Sequence, residues 1–339
     1  MAARLLPLTD PPDPDVIRQA CAILERGHLV AIPTETVYGL AGDATSGDAV
    51  ARIFETKGRP RFNPLICHVS GMAMAEELAH FDDRAHRLAG RFWPGPLTLV
   101  LPRAEGCNVH PLTTAGLPTV ALRMPKGPVQ AVISAFGRPL AAPSANLSGR
   151  LSPTRAEHVA AQLGASIELI LDAGPCPVGL ESTIVALQPD RPARLLRPGG
   201  LSAGEIEAIL DERLERPEPG AAIEAPGMMA SHYAPRAGLR LRAGDVRPGE
   251  ALLAFGPDLP DGKPVAVRNL SPRGDLREAA VNLFSYLAEL DEVGVDKIAV
   301  MAIPDTPGTL GEAINDRLRR AALDPVSPGA SDGAGTNRL

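Results

Sequence analysis

Two cations set two residues apart are the first sign of chemistry in this chain. Lys57 and Arg59 belong to the stretch Lys57-Gly58-Arg59-Pro60-Arg61-Phe62-Asn63-Pro64-Leu65, and Lys57 is one of only four lysines (57, 126, 263 and 297) among 34 basic residues. An ammonium offers a compact charge and a guanidinium a planar fork, a combination suited to a multiply charged anion. Pro60 and Pro64 limit the freedom of the loop, so closing it on a ligand costs less entropy. Arg197, in Arg197-Pro198-Gly199, is a third cation fit for the same task. Alone, a Lys-x-Arg pair is a solvated turn, so its weight depends on its company. Arg123 ends the apolar run Val120-Ala121-Leu122, and an arginine at a strand end facing a cleft suits bidentate capture of a carboxylate. Ala142-Pro143-Ser144-Ala145-Asn146 is a turn of small residues whose backbone amides can approach phosphate or carboxylate closely. Thr36 alone reads as a backbone cap and His68, inside Leu65-Ile66-Cys67-His68-Val69, as a satisfied core histidine.

Several familiar devices are missing from the sequence. There is no GxxxxGK[ST] loop, so a nucleotide would have to be held by side chains rather than by a P-loop. No serine or cysteine stands paired with a base.

The elements that would carry these residues alternate. Helices are expected over 15–27, 48–56 and 155–163, the second stopped by Gly58 and Pro60. Strands are expected over 28–32, 65–69, 97–101, 119–123, 140–142, 167–172 and 183–187. Interleaving of this kind favours an α/β fold with a twisted mixed sheet. Composition shifts after about residue 212: residues 213–236 are rich in proline and glycine and read as a linker. Strands at 239–241, 251–255, 265–267 and 298–303 with helices at 276–290 and 310–322 describe a small Rossmann-like unit over 237–322, without a GxGxxG turn. Residues 323–339 are small and polar, and disorder is expected there.

Composition sets further bounds. A chain of 339 residues with 45% apolar content supports two cores, and aromatics at 3% leave the packing to aliphatic side chains. A net charge of −6 argues against a chain that coats nucleic acid or membrane. Cys21, Cys67, Cys107 and Cys176 form no CxxC pair, a pattern of reduced thiols. No apolar run approaches the ~20 residues of a membrane span, so a soluble cytoplasmic protein is expected.

In chain order, Pro33-Thr34-Glu35-Thr36-Val37-Tyr38-Gly39-Leu40, the Lys57–Leu65 loop, Trp93-Pro94-Gly95-Pro96-Leu97-Thr98, Arg123-Met124-Pro125, Ala142-Pro143-Ser144-Ala145-Asn146-Leu147-Ser148-Gly149, Ser152-Pro153-Thr154, Glu181-Ser182-Thr183 and Arg197-Pro198-Gly199 resemble the YrdC-like domain of the threonylcarbamoyl-AMP synthase family. Ala225-Pro226-Gly227-Met228 and His232-Tyr233-Ala234-Pro235 resemble the linker of that family's two-domain form. The resemblance implies a YrdC-like mixed-sheet domain with an open cleft over 1–212, a linker that serves as a lid, and the Rossmann-like domain behind it. It implies a nucleotidyltransferase, an L-threonylcarbamoyladenylate synthase that joins L-threonine, bicarbonate and ATP, with Mg²⁺, into threonylcarbamoyl-AMP and pyrophosphate. A tRNA threonylcarbamoyl-transferase machinery would use the product beside the anticodon, leaving room for a weak tRNA contact. On the threonine side the resemblance places Thr36, His68, Arg123, the Ala142 backbone and Ser182. On the ATP side it places Lys57, Arg59, Asn63, Thr119, Ser144, Asn146, Ser152, Arg197 and Tyr233, with Lys57 and Arg59 as the catalytic pair. Trp93-Pro94-Gly95-Pro96 reads as architecture. The rival from another class is a double-stranded RNA or tRNA-binding module without catalysis; acidic balance and the lack of interleaved aromatics count against it.

Overall fold

Short apolar strands too small to bury themselves singly are collected into one broad sheet. The computed structural model describes residues 2–218, 222–228 and 232–323, so Ser231 of the linker motif and residues 324–339 of the expected tail lie outside the described residues. The first unit runs β1 (Arg4–Pro7), α1 (Pro14–Glu25), β2 (Val30–Ile32), β3 (Gly39–Asp43), α2 (Gly47–Lys57), β4 (Ile66–His68), α3 (Met72–Leu78), α4 (Asp83–Phe92) and β5 (Leu97–Pro102). It continues with β6 (Thr119–Arg123), α5 (Val129–Phe136), β7 (Leu140–Ala141), α6 (Ala156–Leu163), β8 (Leu169–Asp172), β9 (Thr183–Ala186), β10 (Arg194–Arg197) and α7 (Ala203–Leu210). The ten strands lie in the order β1-β8-β2-β3-β7-β4-β6-β5-β9-β10. Pairing is mixed: β4–β6 and β5–β9 are parallel, while β3–β7, β4–β7 and β5–β6 are antiparallel. The central strands β7, β4 and β6 therefore bring Leu140, His68 and Arg123 side by side.

Each face of this sheet is covered differently. One face packs on α2, α4, α6 and α7 through residues such as Ile53, Leu88, Val159 and Ile206. On the other, α1 and α5 cover Val30, Ile32 and Leu140 with Ile23, Leu24, Val132 and Phe136. Among the described residues no helix joins the buried cluster of Ile66, Val100, Ala121, Ile184, Ala186 and Leu196, which the linker covers instead with Ala225 and Met228. Irregular chain lies there because an apolar sheet face must be removed from water by something.

The second unit is a four-stranded parallel sheet of β11 (Gly238–Arg240), β12 (Ala251–Ala254), β13 (Val267–Asn269) and β14 (Lys297–Val300), ordered β11-β14-β12-β13. Helices α8 (Leu276–Glu292) and α9 (Leu310–Ala322) complete it. Its core takes in Val37, Leu151 and Leu180 from the first unit and Tyr233 from the linker, so the seam between the units is itself packed. Among the described residues no helix is long and apolar enough to cross a membrane.

Candidate active site

The cation loop is built by the end of a helix. Ser46 caps α2, and Gly58 closes it at φ 60°, the left-handed region that glycine enters without steric cost. The turn lets the Arg59 amide return to the Phe54 carbonyl (2.9 Å), and the Arg59 side chain folds over its own loop. Its Nε donates to the Asn63 carbonyl (3.3 Å) and its Nη2 to that of Pro64 (3.0 Å).

A cavity where this loop meets the ends of β4, β6, β7 and β9 is lined by Thr36, Arg59, His68, Arg123, Ala142, Ser144, Glu181, Ser182, Arg197, Pro226, Gly227, His232 and Tyr233. The resemblance implies an open cleft; a cleft is present, but the linker residues Pro226, Gly227, His232 and Tyr233 roof it. Gly227 lies at φ 86°, and a Cβ there would sit 2.7 Å from the Arg197 side chain, so only glycine lets the linker approach so closely. Tyr233 is fully buried at φ 66°, a conformation costing a non-glycine residue roughly 1–2 kcal/mol. Burial of its ring against Phe284 and His232 offsets that cost.

Eight expected site residues thus meet at one cavity: Thr36, Arg59, His68, Arg123, Ala142, Ser144, Ser182 and Arg197, with Tyr233 as the ninth. The other five stand apart from its walls. Lys57 is buried, and its ammonium donates to the carbonyls of Ser144 and Asn146, both at 2.5 Å. It therefore braces the small-residue turn and does not reach into the cavity. Burial, aided by Arg59, lowers its pKa well below the ordinary lysine value. Asn146 accepts from Lys57 and uses its amide nitrogen on the carbonyls of Leu147 (2.9 Å) and Arg150 (2.8 Å). Asn63 is buried in the cation loop, and Thr119 opens β6 opposite Pro102. Ser152 donates to Glu181.

Three arginines face this cavity against a single lining glutamate. Arg197 donates to the Ser182 carbonyl from Nε (3.1 Å) and Nη2 (2.9 Å), and Nη2 also reaches Ser182 Oγ (3.2 Å). Thr98 holds the same hydroxyl at 2.7 Å. Arg123 gives Nε to the Gly95 carbonyl (3.2 Å) and Nη2 to a 2.8 Å ion pair with Glu35. The Trp93–Pro96 turn, read as architecture, thus also aims a site residue. Glu35 and Glu181 were absent from the expected site. Burial raises Glu181, but Arg317 and Arg197 outweigh it and hold the carboxyl below the ordinary range. The turn-capping role that Thr36 was open to falls to Thr34, whose Oγ1 accepts from the Thr36 and Val37 amides. The Thr36 hydroxyl lies 2.9 Å from that of Thr34.

Two buried histidines line the cavity, and Nδ1 of each lacks a hydrogen-bond partner among the described residues. Burial, then Arg123, brings His68 down to about 3; burial, then Arg59, does the same for His232. Both are neutral in the folded protein at physiological pH, whereas the unfolded chain titrates near the ordinary 6.5. Between those values the unfolded state binds more protons, so stability falls as pH drops from about 6.5 towards 3. Comparing urea midpoints at pH 7.5 and 5.5, the loss in His68→Gln should be about 1.4 kcal/mol smaller than in the parent. Equal losses in both would show that His68 titrates normally.

A mixed-sheet α/β unit with an arginine-lined cleft, joined through a buried linker to a small parallel α/β unit, defines a two-domain class of enzymes. A family model described as "Telomere recombination" matches residues 22–199, and another described as "Threonylcarbamoyl-AMP synthase, C-terminal domain" matches 201–323. The chain is 41% identical to the threonylcarbamoyl-AMP synthase of Bacillus subtilis, covering 90% of this chain and 92% of the relative. It is 43% identical to that of Pyrococcus abyssi, covering 90% and 94%. A crystal structure of P. abyssi Sua5 complexed with L-threonine superposes with a TM-score of 0.86 at 39% identity, over 94% of this chain and 98% of that one. The chain belongs to the threonylcarbamoyl-AMP synthase family.

Proposed function

We propose that this enzyme is an L-threonylcarbamoyladenylate synthase, a nucleotidyltransferase acting on L-threonine, bicarbonate and ATP. The observation that carries the reading is the charge of the cavity: Arg59, Arg123 and Arg197 face it, and once Glu35 is matched by Arg123 and Glu181 by Arg317, Arg59 and Arg197 have no carboxylate in ion-pair contact among the described residues. Positive charge buried without an equal counter-charge is costly and is best explained by anionic ligands. The named activity of the relatives and the threonine held by the archaeal structure support this assignment.

In this reading Arg123 takes the threonine carboxylate, while Thr36, Ser182 and the Ala142 backbone fix the rest of the amino acid. His68, neutral, lines the pocket without adding charge. Arg59 and Arg197 face the triphosphate with Ser144 and Tyr233, while Lys57 and Asn146 hold the small-residue turn in shape. Asn63, Thr119 and Ser152 complete the nucleotide side from the surrounding shell. Condensation of the amino group with bicarbonate forms an N–C bond and releases water and a proton. The carbamate oxygen then attacks the α-phosphorus; the new O–P bond forms as the bond to the β-phosphate oxygen breaks and pyrophosphate leaves. The attacking oxygen is already anionic, so the enzyme's task is to align anions that repel one another.

Among the described residues no three His, Cys, Asp or Glu side chains assemble as a metal site, and Glu35 and Glu181 are both engaged by arginines. A magnesium ion arriving on the ATP phosphates belongs to the substrate. The free volume of the cavity is about 40 Å³, room for a few waters. ATP therefore enters only when the linker lifts, and the linker closing again shields the labile mixed anhydride from water. The product is passed to a tRNA-modifying partner.

The test is pyrophosphate release from ATP with threonine and bicarbonate each present or omitted. Release that needs both supports the synthase. Release without threonine, or none from folded protein, sinks it; in the latter case salt-sensitive tRNA binding would favour the RNA-binding alternative.

A further inference from the structure

The side chain that best links the C-terminal domain to the cavity is Arg317. It heads the fully buried side chains by size among the described residues, although an arginine is rarely buried unless paired. Its helix is held from below: Asn315 Nδ2 donates to the carbonyls of Gly311 (2.8 Å) and Ile303 (3.2 Å), and Asp316 accepts from Arg317 Nη1 (2.8 Å) and Arg320 Nε (3.0 Å). From that base the guanidinium crosses the seam. Nε donates to Glu181 Oε2 at 2.9 Å, and Nη1 to the Pro198 carbonyl at 2.8 Å. Its carbon stands 5.1 Å from the centre of the Tyr233 ring. Glu181 in turn accepts from Ser152, and Pro198 follows Arg197 directly. The stretch from Glu181 to Pro198 and the Tyr233 ring thus meet one planar cation, and the stretch around Ser152 is tied to it through Glu181.

We infer that Arg317 is a positioning residue of the adenylation site, through which the C-terminal domain sets the linker tyrosine and the Glu181–Arg197 wall; this rests on the proposed ATP reading. A simple domain anchor would need only one charged partner. The fork instead divides its donors between the two ends of the wall and leaves its face to the aromatic ring, a division of contacts that fixes angles as well as distance. Lysine can keep the charge near Glu181 but cannot serve the Pro198 carbonyl and stack on Tyr233 at the same time.

The experiment compares full-length Arg317→Met and Arg317→Lys with the parent in three measurements. These are pyrophosphate release across ATP concentrations, threonine binding by calorimetry, and exchange of the Ala234 amide, which is bonded to the Gly149 carbonyl at 2.8 Å. The KM for ATP should rise by about 10- to 100-fold in the methionine variant, the scale on which small misplacements of a reacting group act. The lysine variant should rise less, threonine affinity should hold, and the Ala234 amide should exchange faster in both. Mere destabilisation would lower the active fraction, and so kcat, without changing KM. An unchanged KM for ATP in folded Arg317→Met overturns the inference, and the lysine variant decides in its place if the methionine variant does not fold. Should the parent itself release no pyrophosphate, the ATP reading fails separately, and the Ala234 exchange still decides: faster exchange supports the positioning role and unchanged exchange removes it.

Discussion

Arg59→Met is expected to lower adenylate formation by about a thousandfold or more, the scale of an arginine that stabilises charge on a transferring phosphoryl group. Threonine affinity should be kept. The expectation follows from where the loop spends its donors. Nε and Nη2 are held by the Asn63 and Pro64 carbonyls, which fix the plane of the guanidinium and leave Nη1 uncommitted to the loop. Burial brings Arg59 down to about 10, so it still carries its charge at neutral pH. A fixed, charged and partly desolvated donor acts strongly on charge that develops beside it, because it need not reorganise. Arg59→Lys should rescue little, since a single ammonium cannot hold both loop carbonyls and still face the phosphates. Pyrophosphate release and threonine calorimetry on the same preparation decide the matter. A folded Arg59→Met within tenfold of the parent would remove Arg59 from the phosphate clamp and leave Arg197 to carry it.

The chemistry of the cavity was legible where one residue type in one local setting sufficed. A guanidinium after an apolar strand, a lysine–arginine pair ahead of two prolines and a turn of small residues point to anions when taken together, without knowledge of the fold. What could not be read were the partners. Glu35 meets Arg123 only because β6 ends beside the turn before β3, and Glu181 meets Arg317 across 136 residues of chain. Nothing local marks either glutamate as a partner. Lys57 shows the converse: its type suggested a phosphate ligand, whereas the fold delivers its ammonium to two carbonyls.

Secondary structure divides along the same line. Helix α9 was legible to its ends because its apolar residues fall on one face, and α2 to within a residue at each end because Gly58 stops it. Strand β3 was not, since Gly39-Leu40-Ala41-Gly42-Asp43 has low β-propensity and is buried on both sides. Helix α5 was missed because all but two of its eight residues are apolar, leaving no contrast between faces. Strand β13 forms over Val267–Asn269 and not over the expected 265–267, because its parallel register with Leu252–Ala254 decides which residues pair, and Val265 is left 57% exposed.

The second large effect concerns Arg123 and its carboxylate neighbour. Removing the arginine alone would leave Glu35 as a buried, unmatched charge and confuse binding with stability. The informative variant is Arg123→Met with Glu35→Gln, which removes both charges together. Threonine binding should weaken by roughly 2–5 kcal/mol, the range for losing one partner of a buried charged contact. Glu35→Gln alone separates the possibilities further. In the closed cavity Glu35 Oε2 forms a 2.8 Å ion pair with Arg123 Nη2 and accepts from the Lys126 amide at 3.0 Å, while Glu35 Oε1 and Arg123 Nη2 have no hydrogen-bond partner among the described residues. That carboxylate orients the guanidinium but also offsets charge that a bound amino acid would use. Neutralising it leaves the Gly95 carbonyl to orient Arg123 and returns the full cation to the ligand, so threonine should bind more tightly than to the parent. If Arg123 serves only to satisfy Glu35, then Glu35→Gln will leave threonine affinity where it was. The double variant will then bind threonine as well as the parent does, and the amino-acid carboxylate must be held elsewhere.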